Sequence, residues 1–196
     1  MTKVKKLLKN VLALSLCVCA IAAMSVSADT VETQVVESSA FDPNRAVIIT
    51  SLDTTNGTQV LNAYTSSKAI VNTNVTTWQS DGSNTQRWNL VKRSSDDYYL
   101  IKSATNPDVA LNVVNYPSNN NCNFYSYDKN EKKQIDCKVK IVKESLLGNK
   151  YGFVMIEYTT ACMTKTAEYL TAGGQYGYNV RWTVAQDLPT QYWSIT

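Results

Sequence analysis

The sequence predicts an all-β domain made of three repeats of about four short strands. Three observations predict it. Short β-branched or aromatic runs alternate with turn-rich pieces, and no window holds an amphipathic helix of three turns. Two phrases, TQRWNL at 85–90 and TQYWSI at 190–195, nearly coincide and set Trp88 and Trp193 105 residues apart. An alternating strand signal opens at Val47, Tyr98 and Phe153, at intervals of 51 and 55 residues.

The first residues are read apart from the fold. Lys3, Lys5, Lys6 and Lys9 precede an almost wholly apolar run, and VSA at 26–28 supplies small residues for cleavage. That pattern is a secretory signal peptide over 1–28. Residues 29–45 are polar and aperiodic and read as a leader, with the folded domain at 46–196. The expected location is therefore extracellular. The full chain carries 19 basic and 16 acidic side chains, a net +3; losing the four lysines takes it from +3 to −1. The basicity belongs to targeting and gives no ground for nucleic acid or membrane as partner.

Within the domain the elements follow in order. AVIITSL at 46–52 and VLNAY at 60–64 are strands parted by DTTNGT, a turn sequence. NVTTW at 74–78 and then TQRWNL complete a first group. YYLIKSA, VALNVV and NFYSY at 98–104, 109–114 and 123–127 form a second group, closed by KQIDCKVKIV. YGFVMIEY, YLTAG, NVRWT and TQYWSI form a third. In the middle group Gln134 is expected at the glutamine position and Asp136 at the tryptophan position, an eroded copy of the phrase. Twelve strands of this kind close a six-stranded barrel capped by three hairpins.

Composition removes several chemistries. The chain has no histidine. Ser-His-Asp and Cys-His catalysis and most zinc sites are thereby excluded. The carboxylate pairs Asp96 with Asp97 and Asp128 with Glu131 lie on turns, where solvation accounts for them. No enzyme activity, cofactor or metal is expected. Three cysteines remain after the signal segment: Cys122, Cys137 and Cys162. Cys122 and Cys137 are the preferred candidates for a disulfide, with three buried thiols as the alternative.

A threefold repeat ending in Gln-x-Trp, with the last copy at the C-terminal end, resembles the ricin-type (ricin B-like) β-trefoil lectin domain over 46–196. The resemblance implies a non-catalytic, secreted, carbohydrate-binding module with a shallow pocket in each repeat. It makes Trp88 and Trp193 core residues and puts the sugar site elsewhere. The implied contacts are Asn62, Thr76, Trp78 and Gln86 in the first repeat, and Asn112, Tyr125, Tyr127 and Gln134 in the middle one. In the last, Thr171, Arg181, Thr183 and Gln191 take these places, and Trp182 falls one position out of register. Trp78 and Tyr127 would stack on a pyranose while the amides bond its hydroxyls. The carboxylate usual at the Asn62 position is missing from all three repeats, which removes a charge-assisted bond. The implied partners are galactose-type glycans or a polysaccharide. The competing expectation is a trefoil that has lost sugar binding and docks on protein, as a protease inhibitor or a subunit of a toxin or haemagglutinin complex.

Overall fold

The computed structural model describes residues 33–35, 41–42, 44–92, 98–113, 116–126, 135–144, 148–156, 158, 160–172 and 175–196. The chain divides into two compact units, Met1–Val31 and Glu32–Thr196. The expected signal segment lies outside the described residues.

All the regular structure described is strand, with three short 3-10 turns. The strands are β1 Thr33–Val35, β2 Ile49–Ser51, β3 Gln59–Ala63, β4 Val75–Gln79, β5 Trp88–Lys92, β6 Tyr99–Ser103 and β7 Asn106–Val113. They continue as β8 Cys122–Ser126, β9 Val139–Glu144, β10 Tyr151–Met155, β11 Ala161–Ala172, β12 Gln175–Val184 and β13 Trp193–Ile195. Antiparallel pairing runs from β2 to β13, β10, β9, β6 and β5 in turn. The Val47–Trp88 bridge brings it back beside β2, with main-chain bonds of 2.8 and 2.9 Å. Six of the other seven strands form three hairpins: β3 with β4, β7 with β8, and β11 with β12. The hairpins meet one another where β12 pairs with β4 and through the Asn74–Asn123 and Asn121–Arg181 bridges.

Alternation decides what faces inward. In the first hairpin Leu61, Ala63 and Val75 enter the main core, while Val60 and Trp78 do not. In β6, Tyr99 and Ile101 face that core, and Leu100 packs in a second cluster with Tyr98, Ala110 and Cys137. Trp88, Trp182 and Trp193 are the largest fully buried side chains. Trp88 stacks on Phe124 with the ring planes 3° apart, and its indole N–H reaches the Leu61 carbonyl at 3.0 Å. Trp193 donates equivalently to the Met163 carbonyl at 3.1 Å.

Where the hairpins meet, three asparagines close a ring of amide bonds. Asn74 donates to Asn179 at 3.0 Å, Asn179 to Asn121 at 2.9 Å, and Asn121 back to Asn74 at 2.8 Å. The ring uses a donor and an acceptor from each half-buried or buried amide, which burial requires.

Four expectations are corrected. First, the closing phrase of the middle group is three residues later than read. The 3-10 turns Asn84–Gln86, Ile135–Cys137 and Pro189–Gln191 each precede a closing strand by one residue. Cys137 therefore stands where Gln86 and Gln191 stand, and Val139 where Trp88 and Trp193 stand. Both are fully buried. Asp136 is half-buried in the turn, and Gln134 lies outside the described residues. Second, the Cys122–Cys137 disulfide is not formed. Cys122, Cys137 and Cys162 are buried free thiols. Cys122 belongs to the main core and Cys137 to the second cluster, where its thiol approaches Asn112 Oδ1 at 3.6 Å. Third, the described parts of the leader, Thr33–Val35 and Phe41, pack on the strands of the domain. β1 pairs with β9, and Phe41 packs edge-on against Tyr99 and Tyr151. Fourth, in the last hairpin Thr164, not Thr171, matches Asn62. Met163 faces Trp182 as Leu61 faces Thr77, so Thr164 pairs with Arg181 as Asn62 pairs with Thr76. Thr171 lies seven residues on, past the irregularity between Lys165 and Tyr169, opposite Tyr176.

Candidate functional site

Asn62, Thr76, Trp78, Asn112 and Tyr125 sit on the outer faces of the hairpins, because alternation offsets them by one from the inward residues. On the first hairpin Asn62 and Thr76 are paired across β3 and β4, with a 3.3 Å bond from the amide to the hydroxyl. Both are buried. Trp78 lies on the same face and is 6% exposed. It pairs with Gly177 of β12, and the Tyr64 ring lies against it with centroids 5.7 Å apart. Gly177 is required there: a Cβ would fall 1.9 Å from the Thr77 carbonyl oxygen and 2.5 Å from the Trp78 ring.

Gln86 does a different job from the one implied. Its side chain is buried and donates to the Gln79 carbonyl at 2.8 Å, while its own carbonyl accepts from Asp81 N at 3.0 Å. Gln191 repeats this pair on Val184 O at 2.8 Å and Gln186 N at 2.7 Å. These bonds satisfy main-chain groups at a tight connection. Both amides act as clamps on the chain leaving a hairpin, and the structure turns them away from any open surface.

On the middle hairpin the aromatic residue is exposed, while the amide pair beside it is buried as in the first. Tyr125, not Tyr127 as expected, occupies the register of Trp78: it faces Ala110 as Trp78 faces Val60. It is 44% exposed. Asn112 and Asn123 form the cross-strand pair matching Asn62 and Thr76, with amide to carbonyl oxygen at 3.5 Å. Asn123 was not singled out from sequence; its place opposite Asn112 depends on the register. Exposed Ile70 and Val71 lie in the adjoining turn, where Asn72 N donates to Phe124 O at 2.8 Å. Tyr127 falls outside the described residues, as does Gln134.

The last hairpin presents hydroxyls and charge in place of an aromatic. Thr164 and Thr183 share a 2.7 Å bond, and Gln191 Nε2 lies 3.2 Å from each hydroxyl. Arg181 bonds Glu168 at 2.8 Å in an exposed ion pair. The Arg181 and Asn179 bonds hold the Glu168 carboxyl below its usual value against a small opposing effect of burial. Trp182 points inward and is fully buried, as its offset suggested.

No family model and no curated protein sequence matches the chain. Solved structures do. ThreeFoil, a designed 3-fold symmetric protein, superimposes with a TM-score of 0.59 at 19% identity, over 76% of this chain and 97% of that one. The Macrolepiota procera ricin B-like lectin in complex with lactose gives 0.58 at 13% identity, over 79% and 96%. A β-trefoil named BEL gives 0.55 at 15% identity, over 82% and 98%. The chain shares the fold of the ricin B-like lectins.

On this ricin B-like scaffold the three hairpins offer different chemistry on one face. The first has its indole covered, the middle has an exposed phenol ring beside two buried amides, and the last has threonines and an ion pair. An open ring beside hydrogen-bonding amides suits a ligand with one apolar face and several hydroxyls. Among the described residues no three His, Cys, Asp or Glu side chains group to hold a metal ion.

Proposed function

We propose that the protein is a secreted, non-catalytic lectin: a β-trefoil of three repeats that binds galactose-type or polymeric glycans on the outer face of its middle hairpin. The observation that carries this reading is Tyr125, an aromatic ring 44% exposed beside the Asn112–Asn123 amide pair. The ring stacks on the C–H face of a pyranose, and the amides bond its hydroxyls. The lectin likeness supports the assignment, since the Macrolepiota procera protein of the same fold carries lactose. A single shallow site of this kind binds weakly, about millimolar to micromolar.

A glycan array followed by titration of the hits tests the reading. Tyr125→Ala is expected to weaken binding about two- to tenfold, the share of a stacking contact. Full binding by that variant contradicts the site. Binding to no glycan contradicts the function and favours docking on protein, to which exposed Ile70 and Val71 beside Tyr125 are also suited.

A further inference from the structure

We propose that Tyr64 decides which hairpin takes a sugar: its ring fills the stacking face of Trp78 and keeps the first hairpin closed. The inference rests on the lectin reading above and concerns the regulation of its first site.

Trp78 is an outward residue by register. It shares the outer face of the first hairpin with Val60, Asn62 and Thr76, and it is not a member of the main core. Yet it is almost wholly covered. One cover is the main chain at Gly177, held by the pairing of β12 with β4. That cover is fixed. A second cover is a side chain. Tyr64 follows β3, and its N–H bonds Asn74 O at 2.9 Å, which ties down its backbone. Its ring is 40% exposed and meets Trp78 at a tilt of 49°. A turn about χ1 removes such a ring without moving the chain, a motion of picoseconds to nanoseconds for an exposed side chain.

The register shows what lies beneath. Trp78 pairs with Val60, and the Tyr64 backbone bonds Asn74, with the Asn62–Thr76 pair between. Tyr64 and Trp78 thus start four residues apart along the hairpin, about 13 Å, and lean together over an amide and a hydroxyl. These are the groups a stacked pyranose would use. The aromatic ring of Tyr64 takes the place of the ligand. On the middle hairpin, Tyr125 in the register of Trp78 remains open.

Calorimetry with lactose as probe, read beside tryptophan emission, tests this. Wild-type protein is expected to bind lactose at one site with little change in emission, because Trp88, Trp182 and Trp193 are fully buried and Trp78 is covered. Tyr64→Ala and Tyr64→Ser are expected to gain a second site and a lactose-dependent emission change. Tyr64→Phe keeps the ring and is expected to behave as wild type. Folded Tyr64→Ala and Tyr64→Ser that bind no more lactose than wild type, with unchanged emission, overturn the inference. So does a gain in Tyr64→Phe equal to that in Tyr64→Ala. The lectin reading fails separately. If wild type binds nothing and Tyr64→Ala binds with an emission change, the middle site is wrong and the Tyr64 closure stands. If wild type binds through Tyr125 and Tyr64→Ala adds nothing, the reverse holds.

Discussion

Trp182 donates its indole N–H to the main-chain oxygen of Asn112 at 3.2 Å, across 70 positions of sequence. The bond falls one residue past Leu111, the middle-hairpin counterpart of the carbonyls served by Trp88 and Trp193. The tryptophan missing at Val139 is thus offset by one from the last hairpin, which fills the core from another direction. No covalent link is needed there.

Trp182→Ala is therefore expected to destabilise the protein by about 3–5 kcal/mol, the range for removing a large buried aromatic. Urea unfolding followed by circular dichroism measures it. A loss under 1 kcal/mol would mean that Trp182 does not fill the gap at Val139.

The glutamine clamps predict an ordering. Gln86→Ala leaves Gln79 O and Asp81 N without their bonds and is expected to cost about 1–3 kcal/mol. Gln191→Ala is expected to cost more, because Gln191 also lies within bonding distance of Thr164 and Thr183. The same denaturation series checks the order. Equal or reversed losses contradict the view that the last clamp also orders the hairpin hydroxyls.

Acid stability is expected to depend on an ion pair between a buried lysine and a half-buried aspartate. Lys165, with a side chain 2% exposed, lies 3.0 Å from Asp53 and 4.8 Å from the Tyr178 ring centroid. Burial raises the Asp53 carboxyl, but bonds from Thr55 and Lys165 and the lysine charge outweigh it and hold the group below its usual 3.8. A depressed carboxylate contributes stability above its unfolded value and loses it as pH falls through the folded one. Stability is expected to drop below about pH 4, and Lys165→Met is expected to flatten that drop. Denaturation midpoints at pH 7 and pH 3 decide it; an unchanged slope in the variant removes the pair as its source.

The thiols are predicted to be silent in the native state. Burial pushes Cys137 and Cys162 up to about 12 and raises Cys122 as well. Reaction with a thiol reagent at pH 8 is expected to be slow until denaturant is added, since the thiolate is the reactive form. Fast labelling of the native protein would contradict the burial of these residues.

Much of the fold is legible in the sequence, because strand alternation and the two Gln-x-Trp phrases both follow from what must be buried. Gln86 and Gln191 mark tight connections, and Trp88 and Trp193 mark the core beside them. The middle copy misleads because Lys133-Gln134-Ile135-Asp136 imitates the phrase three residues early. The true positions hold Cys137 and Val139, which carry no amide and no indole and so leave no signal. Thr171 misleads for another reason. The irregularity in β11 shifts the register, and the longer hairpin offers a second threonine on a similar run. The site was legible only in part. Asn62, Thr76 and Trp78 do come together, but Trp78 is covered by Tyr64 and by Gly177, which arrives from 99 positions away. Tyr64 itself was within reach, since it lies two residues past Asn62 and alternation puts it on the same face.

The most direct measurement is a lactose titration of isotopically labelled protein, read as amide shift changes residue by residue. A site on the middle hairpin predicts changes centred on Asn112, Asn123 and Tyr125, with Trp193 and its neighbours on β13 unmoved. No shift change at millimolar lactose, or changes centred on the ring of strands away from the middle hairpin, would contradict it.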